Sequence, residues 1–179
     1  MACHRPEPIW SPPVTPLPLT LILGGQRSGK SAYAESLFTS GGVYLATGEG
    51  SDTEMSARIK AHQDRRGEGW ITVEEPLDIA AALAHMPNDK PVLIDSLGVW
   101  VSNMLYKERP LDLEPLAKTL HNHPSPVVIV SDIVGLGVIP MNAVARAFVD
   151  ALGSANQILA AKASRVVLVT AGLSQILKE

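Results

Sequence analysis

Gly24-Gly25-Gln26-Arg27-Ser28-Gly29-Lys30-Ser31 follows the pattern G-x-x-x-x-G-K-[ST]. The residues before it, Leu19 to Leu23, are apolar and β-compatible apart from Thr20, so they read as a buried parallel strand. Those after it, Ala32 to Phe38, carry Ala, Glu and Leu at helical spacing. A strand–loop–helix frame is the context in which this pattern binds phosphate. Glycines let the backbone wrap around phosphate oxygens without Cβ clashes, and amide N–H groups at the start of a helix face the anion. In this reading residues 24–31 cradle a nucleoside triphosphate, Lys30 reaches its terminal phosphates and the Ser31 hydroxyl ligates Mg²⁺.

The 179 residues are enough for one domain with a sizeable core. Aromatic residues are only 4% of the chain, so that core must be built from Val, Leu, Ile and Ala. Apolar runs alternate with helical stretches, which predicts an α/β fold: a mostly parallel, doubly wound sheet with helices on both faces. A formal net charge of −3 gives no global electrostatic case for nucleic acid or an anionic membrane. One cysteine, Cys3, excludes an intrachain disulfide and a multi-cysteine metal site, and fits a reducing cytoplasm. Residues 1–18 hold six prolines and no apolar segment of the kind a secretion signal or membrane span needs. They read as a disordered tail ahead of a nucleotide-binding catalytic domain over 19–179.

Beyond the phosphate loop, Val43 to Ala46 reads as a strand, and Thr47-Gly48-Glu49-Gly50 as the loop leaving its carboxyl end, where open parallel sheets hold ligands. Ser51 and Glu54 have capping-box spacing and open a helix that runs to about Arg66. Further strands are expected at Trp70 to Val73, Val92 to Asp95, Val127 to Val130 and, last, Val166 to Thr170. Helices are expected over Leu77 to Met86, Leu97 to Tyr106, Asp112 to His121 and Asn142 to Ala163.

A phosphoryl-transfer site of this type also needs an acid near Mg²⁺, usually at the end of an apolar strand. Asp95 and Asp132 compete for that role, and either also suits the cap of a following helix. Asp95 is preferred because its short strand leads straight into a helix. His62 stands where an apolar stripe meets a basic one, with Arg58 one turn and Arg65 nearly one turn away on the same helix. Nearby cations favour the neutral, nucleophilic imidazole and also suit phosphate oxygens.

Taken together, these motifs resemble the bifunctional adenosylcobinamide kinase / adenosylcobinamide-phosphate guanylyltransferases. The likeness rests on the phosphate loop, on Ala46-Thr47, and on Asp52-x-Glu54-Met55-x-x-Arg58-Ile59-x-x-His62-x-x-Arg65. It extends to Glu74, to Asp95 with Asn103 after it, to Val134-Gly135-x-Gly137-x-x-Pro140-x-Asn142 and to Asn156-Gln157-x-Leu159-Ala160. It covers the chain from about residue 19 onward. The resemblance implies a RecA-like nucleotide-binding fold and two reactions on one corrinoid side-chain alcohol. ATP or GTP phosphorylates that alcohol. GTP then donates GMP to the new phosphate through a GMP–histidine intermediate, for which His62 is the matching position. Nucleotide contacts carry over to residues 24–31, to Ala46, Thr47 and Gly48, to Gln63, Asp64, Arg65 and Arg66, to Glu74 and to Asp95, with Ser31 and Asp95 on Mg²⁺. A homotrimer is implied in the same way.

The chain departs from the family pattern at Asp132-Ile133, where an Asn-Glu pair is usual, at Met141, where an acid is usual, and at Ser154, where an arginine is common. Two other readings of the residues stay open at this level. One is a different P-loop small-molecule kinase in which His62 is structural; the other is a nucleotide-binding switch that turns over no acceptor.

Overall fold

Six apolar runs extend side by side as parallel strands in the computed structural model, which describes residues 17–48 and 69–179. They are β1 (Leu19–Gly24), β2 (Val43–Ala46), β3 (Ile71–Glu74), β4 (Val92–Asp95), β5 (Val127–Asp132) and β6 (Arg165–Thr170). A seventh, β7 (Leu173–Lys178), runs antiparallel to β6, and the sheet order is β3-β2-β4-β5-β1-β6-β7. Near-continuous apolar strands demand cover on both faces, and both faces are covered. Leu21, Leu23, Leu45, Ile94 and Ile129 point to one face. It is covered by α2 (Ile79–Ala84), α3 (Leu97–Tyr106), α4 (Glu114–Asn122) and α5 (Ala143–Lys162). Ile22, Tyr44, Leu93, Val128, Val130 and Val167 point to the other, where α1 (Lys30–Ser36) lays Tyr33, Ala34 and Leu37 against them. Leu83 and Leu152 are fully buried in the larger cluster, and truncating either to Ala would cost about 2–5 kcal/mol.

Helix ends follow local chemistry. Ser96 and Asn142 cap α3 and α5 by accepting from the amides of Val99 and Val144. The helix expected from Leu77 begins only at Ile79, because one Glu75 carboxylate oxygen accepts from the amides of both Leu77 and Asp78 and holds them in a turn. Trp70 lies outside the strand expected there. Its ring packs 4.9 Å from that of Phe38 and edge-on to Tyr44.

The strand ending at Thr170, expected to be the last, is followed by β7. The turn uses Ala171 and Gly172 with φ of 52° and 78°, the mirror-type hairpin geometry that usually advertises itself through Asn or Gly at both positions. All six β7 residues are exposed, so no burial period marks the strand either. The proline-rich residues 1–16, the Ser51–Glu54 capping box and the helix expected to carry His62 lie outside the described residues.

Candidate active site

Because β1 to β6 are parallel, their carboxyl ends share one edge, and the register decides what meets there. Gly24 lies opposite Asp132, while Ala46 lies between Glu74 on one side and Asp95 on the other. This edge therefore gathers the phosphate loop, Ala46-Thr47-Gly48, Glu74, Asp95 and Asp132. Asp95 stands two strands from β1, about 10 Å at ordinary strand spacing, and Asp132 stands on the strand next to it.

The loop leaves β1 and enters α1 through Gly29, whose φ of 97° is the left-handed conformation that side chains with a Cβ resist. The Ser28 amide closes a turn on the Gly25 carbonyl at 3.2 Å, and the Ser28 carbonyl accepts from the Gly172 amide at 2.8 Å, so the β6–β7 hairpin braces the loop. Gln26 and Arg27 are exposed, whereas Ser28 and Lys30 are buried. The Lys30 ammonium turns back over the loop: it donates to the Gly25 carbonyl at 3.2 Å and pairs with Oδ1 of Asp132 at 2.7 Å.

Asp95 is held differently. The Tyr44 hydroxyl donates to its Oδ2 at 3.0 Å, which engages one of the two carboxylate oxygens. Hard oxygen donors of this kind, a carboxylate from Asp95 and the hydroxyl of Ser31, suit Mg²⁺, which binds few protein ligands and keeps several waters. Among the described residues no cluster of three or more His, Cys, Asp or Glu side chains is placed to hold a metal.

The loop after β2 is fixed to both neighbours. Thr47 is fully buried: its hydroxyl donates to the Ser96 carbonyl at 2.8 Å and accepts from the Ser96 amide at 2.9 Å. The Asn103 amide donates to the Thr47 carbonyl at 2.8 Å and to the Pro76 carbonyl at 3.1 Å, tying the exits of β2 and β3 to α3. Glu75 is spent on capping its own turn, so the exposed Glu74 is the acid that β3 offers to the edge. On the far side of β5, the Ser131 hydroxyl donates to Asn156, whose amide donates to the Asp132 carbonyl at 3.0 Å.

Thus residues 24–31, Ala46, Thr47, Gly48, Glu74 and Asp95 all stand at one carboxyl edge of the sheet, with Glu74 four strands from β1. His62, Gln63, Asp64, Arg65 and Arg66 lie outside the described residues. Tyr44 escapes a reading of the sequence, because a tyrosine inside an apolar strand signals core and nothing more. The ion pair of Asp132 with Lys30 escapes it as well, because it depends on β5 lying beside β1.

Residues 20–177 match the family described as cobinamide kinase / cobinamide phosphate guanyltransferase. The chain is 40% identical over 166 residues to the bifunctional adenosylcobalamin biosynthesis protein CobP of Pseudomonas aeruginosa, a match covering 88% of this chain and 96% of that one. It is 35% identical over 181 residues to the bifunctional adenosylcobalamin biosynthesis protein CobU of Salmonella typhimurium, with 89% and 99% covered. The CobU protein of Escherichia coli gives the same figures. Among solved structures, the P4 protein from bacteriophage phi6 in complex with ADP overlays 88% of this chain at a TM-score of 0.46 and 14% identity, too slight a likeness to bear on function. With a match that runs from β1 to β7, the chain belongs to the cobinamide kinase / cobinamide-phosphate guanylyltransferase family, and is a bifunctional, nucleoside-triphosphate-using enzyme of adenosylcobalamin biosynthesis.

Proposed function

We propose that the carboxyl edge of the sheet is a single nucleoside-triphosphate site that serves both reactions. The observation that carries this reading is that the phosphate loop with Lys30, Asp95 and Glu74 all stand at the same carboxyl edge of the sheet. Residues 24–31 cradle the triphosphate, and Lys30 leaves Asp132 to meet its terminal phosphates. Ser31 and Asp95 hold Mg²⁺, which screens the phosphate charge when bound. Ala46, Thr47, Gly48, Glu74 and residues 63–66 contact the rest of the nucleotide.

In the kinase step the corrinoid alcohol attacks the γ-phosphorus of ATP or GTP, and the nucleoside diphosphate leaves. In the second step a neutral His62 nitrogen attacks the α-phosphorus of GTP. A nitrogen–phosphorus bond forms and pyrophosphate leaves. An oxygen of the adenosylcobinamide phosphate then attacks the same phosphorus, frees His62 and gives adenosylcobinamide-GDP. Splitting the transfer avoids bringing two polyanionic substrates together at one moment. Arg58 and Arg65 offset charge that builds on the phosphoryl oxygens. The enzyme works as a homotrimer in the cytoplasm, without nucleic acid and without membrane insertion. No helix among the described residues is long and apolar enough to cross a membrane.

The shared-site reading is tested by Lys30→Ala. Both activities are expected to fall by about a thousandfold, equivalent to roughly 4 kcal/mol of transition-state stabilisation. A variant that keeps near-normal kinase turnover overturns the assignment.

A further inference from the structure

The Lys30–Asp132 pair is tighter and drier than an ordinary surface ion pair. The two groups approach to 2.7 Å with side chains only 11% and 23% exposed. The carboxylate is also confined from behind. A Cβ built on Gly98 of α3 would lie 2.7 Å from Asp132 Oδ2, so α3 packs its bare glycine against the carboxylate and a side chain there would displace it. The backbone around it is pinned too, with the Ile133 amide on the Gly24 carbonyl and the Asn156 side chain on the Asp132 carbonyl. Asp132 is therefore fixed beside the cradle.

A nucleoside triphosphate entering this site must take Lys30 from Asp132. That leaves a confined, largely desolvated carboxylate facing an incoming polyanion, an arrangement opposed by Coulomb repulsion. A divalent cation arriving on the nucleotide offsets the repulsion; a metal-free nucleotide has nothing to offset it. We infer that Asp132 is a specificity-determining residue of the nucleotide site: it neutralises Lys30 while the site is empty and so selects the metal complex over the free triphosphate. This inference rests on the assignment of Lys30 to the phosphates made above.

The test is calorimetric binding of α,β-methylene-GTP, which resists cleavage at the α-phosphorus, with excess EDTA and with saturating Mg²⁺. Wild type, Asp132→Asn, Lys30→Met and the double variant are compared, with thermal melts to verify folding and Asp132→Ser as a second probe of the position. Asp132→Asn is expected to bind the metal-free nucleotide roughly three- to tenfold more tightly than wild type, as loss of one charge-assisted pair allows. Affinity for the Mg²⁺ complex is expected to change less, and the gain is expected to vanish in the Lys30→Met background. Metal-free affinity that does not rise in either Asp132 variant overturns the inference. So does an equal gain without Lys30, because the carboxylate would then act on the phosphates alone. A loss confined to the Mg²⁺ complex would make Asp132 a metal ligand, which also overturns it. If Lys30→Met alone leaves binding unchanged, the phosphate-cradle assignment itself has failed, a result distinct from all the others.

Discussion

The Tyr44 hydroxyl donates to Oδ2 of Asp95 at 3.0 Å, reaching from β2 to the end of the neighbouring strand β4. Two residues proposed to lie outside and inside the metal site are thereby joined, since this hydrogen bond fixes which way the carboxylate faces. Partners that orient a ligating carboxylate contribute to metal affinity although they never touch the metal.

Tyr44→Phe keeps the ring against Trp70 and removes the hydroxyl. The Mg²⁺ concentration for half-maximal kinase rate is expected to rise about tenfold, the lower end of the usual range for such partners, with little change at saturating Mg²⁺. Asp95→Asn is expected to do the same more severely and to lower turnover as well. Titration of the rate with Mg²⁺ checks both. Unchanged metal dependence in Asp95→Asn contradicts the assignment of Asp95.

Asn103 supports two loops at once, through the carbonyls of Thr47 and Pro76. Asn103→Ala leaves both acceptors without this donor, a loss of about 1–3 kcal/mol in stability. Because the Thr47–Gly48 loop is proposed to contact the nucleotide, KM for GTP is expected to rise several-fold while kcat changes little. A fall in kcat with KM intact would place Asn103 in the chemistry instead.

Burial raises the pKa of the Tyr33 hydroxyl above its ordinary value, and a hydrogen bond with Ser174 of β7 pulls less strongly the other way. The folded chain thus holds this proton more firmly than the unfolded one. The associated stability is intact below about pH 10 and is lost as pH rises through the higher folded value. Tyr33→Phe is expected to flatten that alkaline limb. Denaturant midpoints measured from neutral to strongly alkaline pH for both proteins check this; parallel curves contradict it.

The parallel part of the sheet was legible because β1, β4 and β5 are continuous apolar runs that end in glycine or an acid. The phosphate loop was legible because its glycines and lysine have fixed spacing. Strand order was not, since nothing local to Val127–Asp132 says that it lies beside β1. That order alone puts Asp132, and not Asp95, against Lys30. The uneven cover, with one short helix on one face and four on the other among the described residues, was equally hidden. Each apolar stripe says that a helix is buried and does not say on which face. The exposed β7 and its Ala171-Gly172 turn carry neither pattern nor turn signal strong enough to read.

The proposed guanylyl transfer turns most directly on His62. The measurement is incubation of the enzyme with α-labelled and γ-labelled GTP in parallel, followed by denaturation and a search for label on the protein. A phosphoramidate on His62 is expected to retain α-label through base and lose it in acid, while γ-label leaves no such mark. His62→Ala is expected to abolish labelling and guanylyl transfer yet keep kinase turnover. Label that persists in His62→Ala, or never forms on the wild-type protein, contradicts the histidine route.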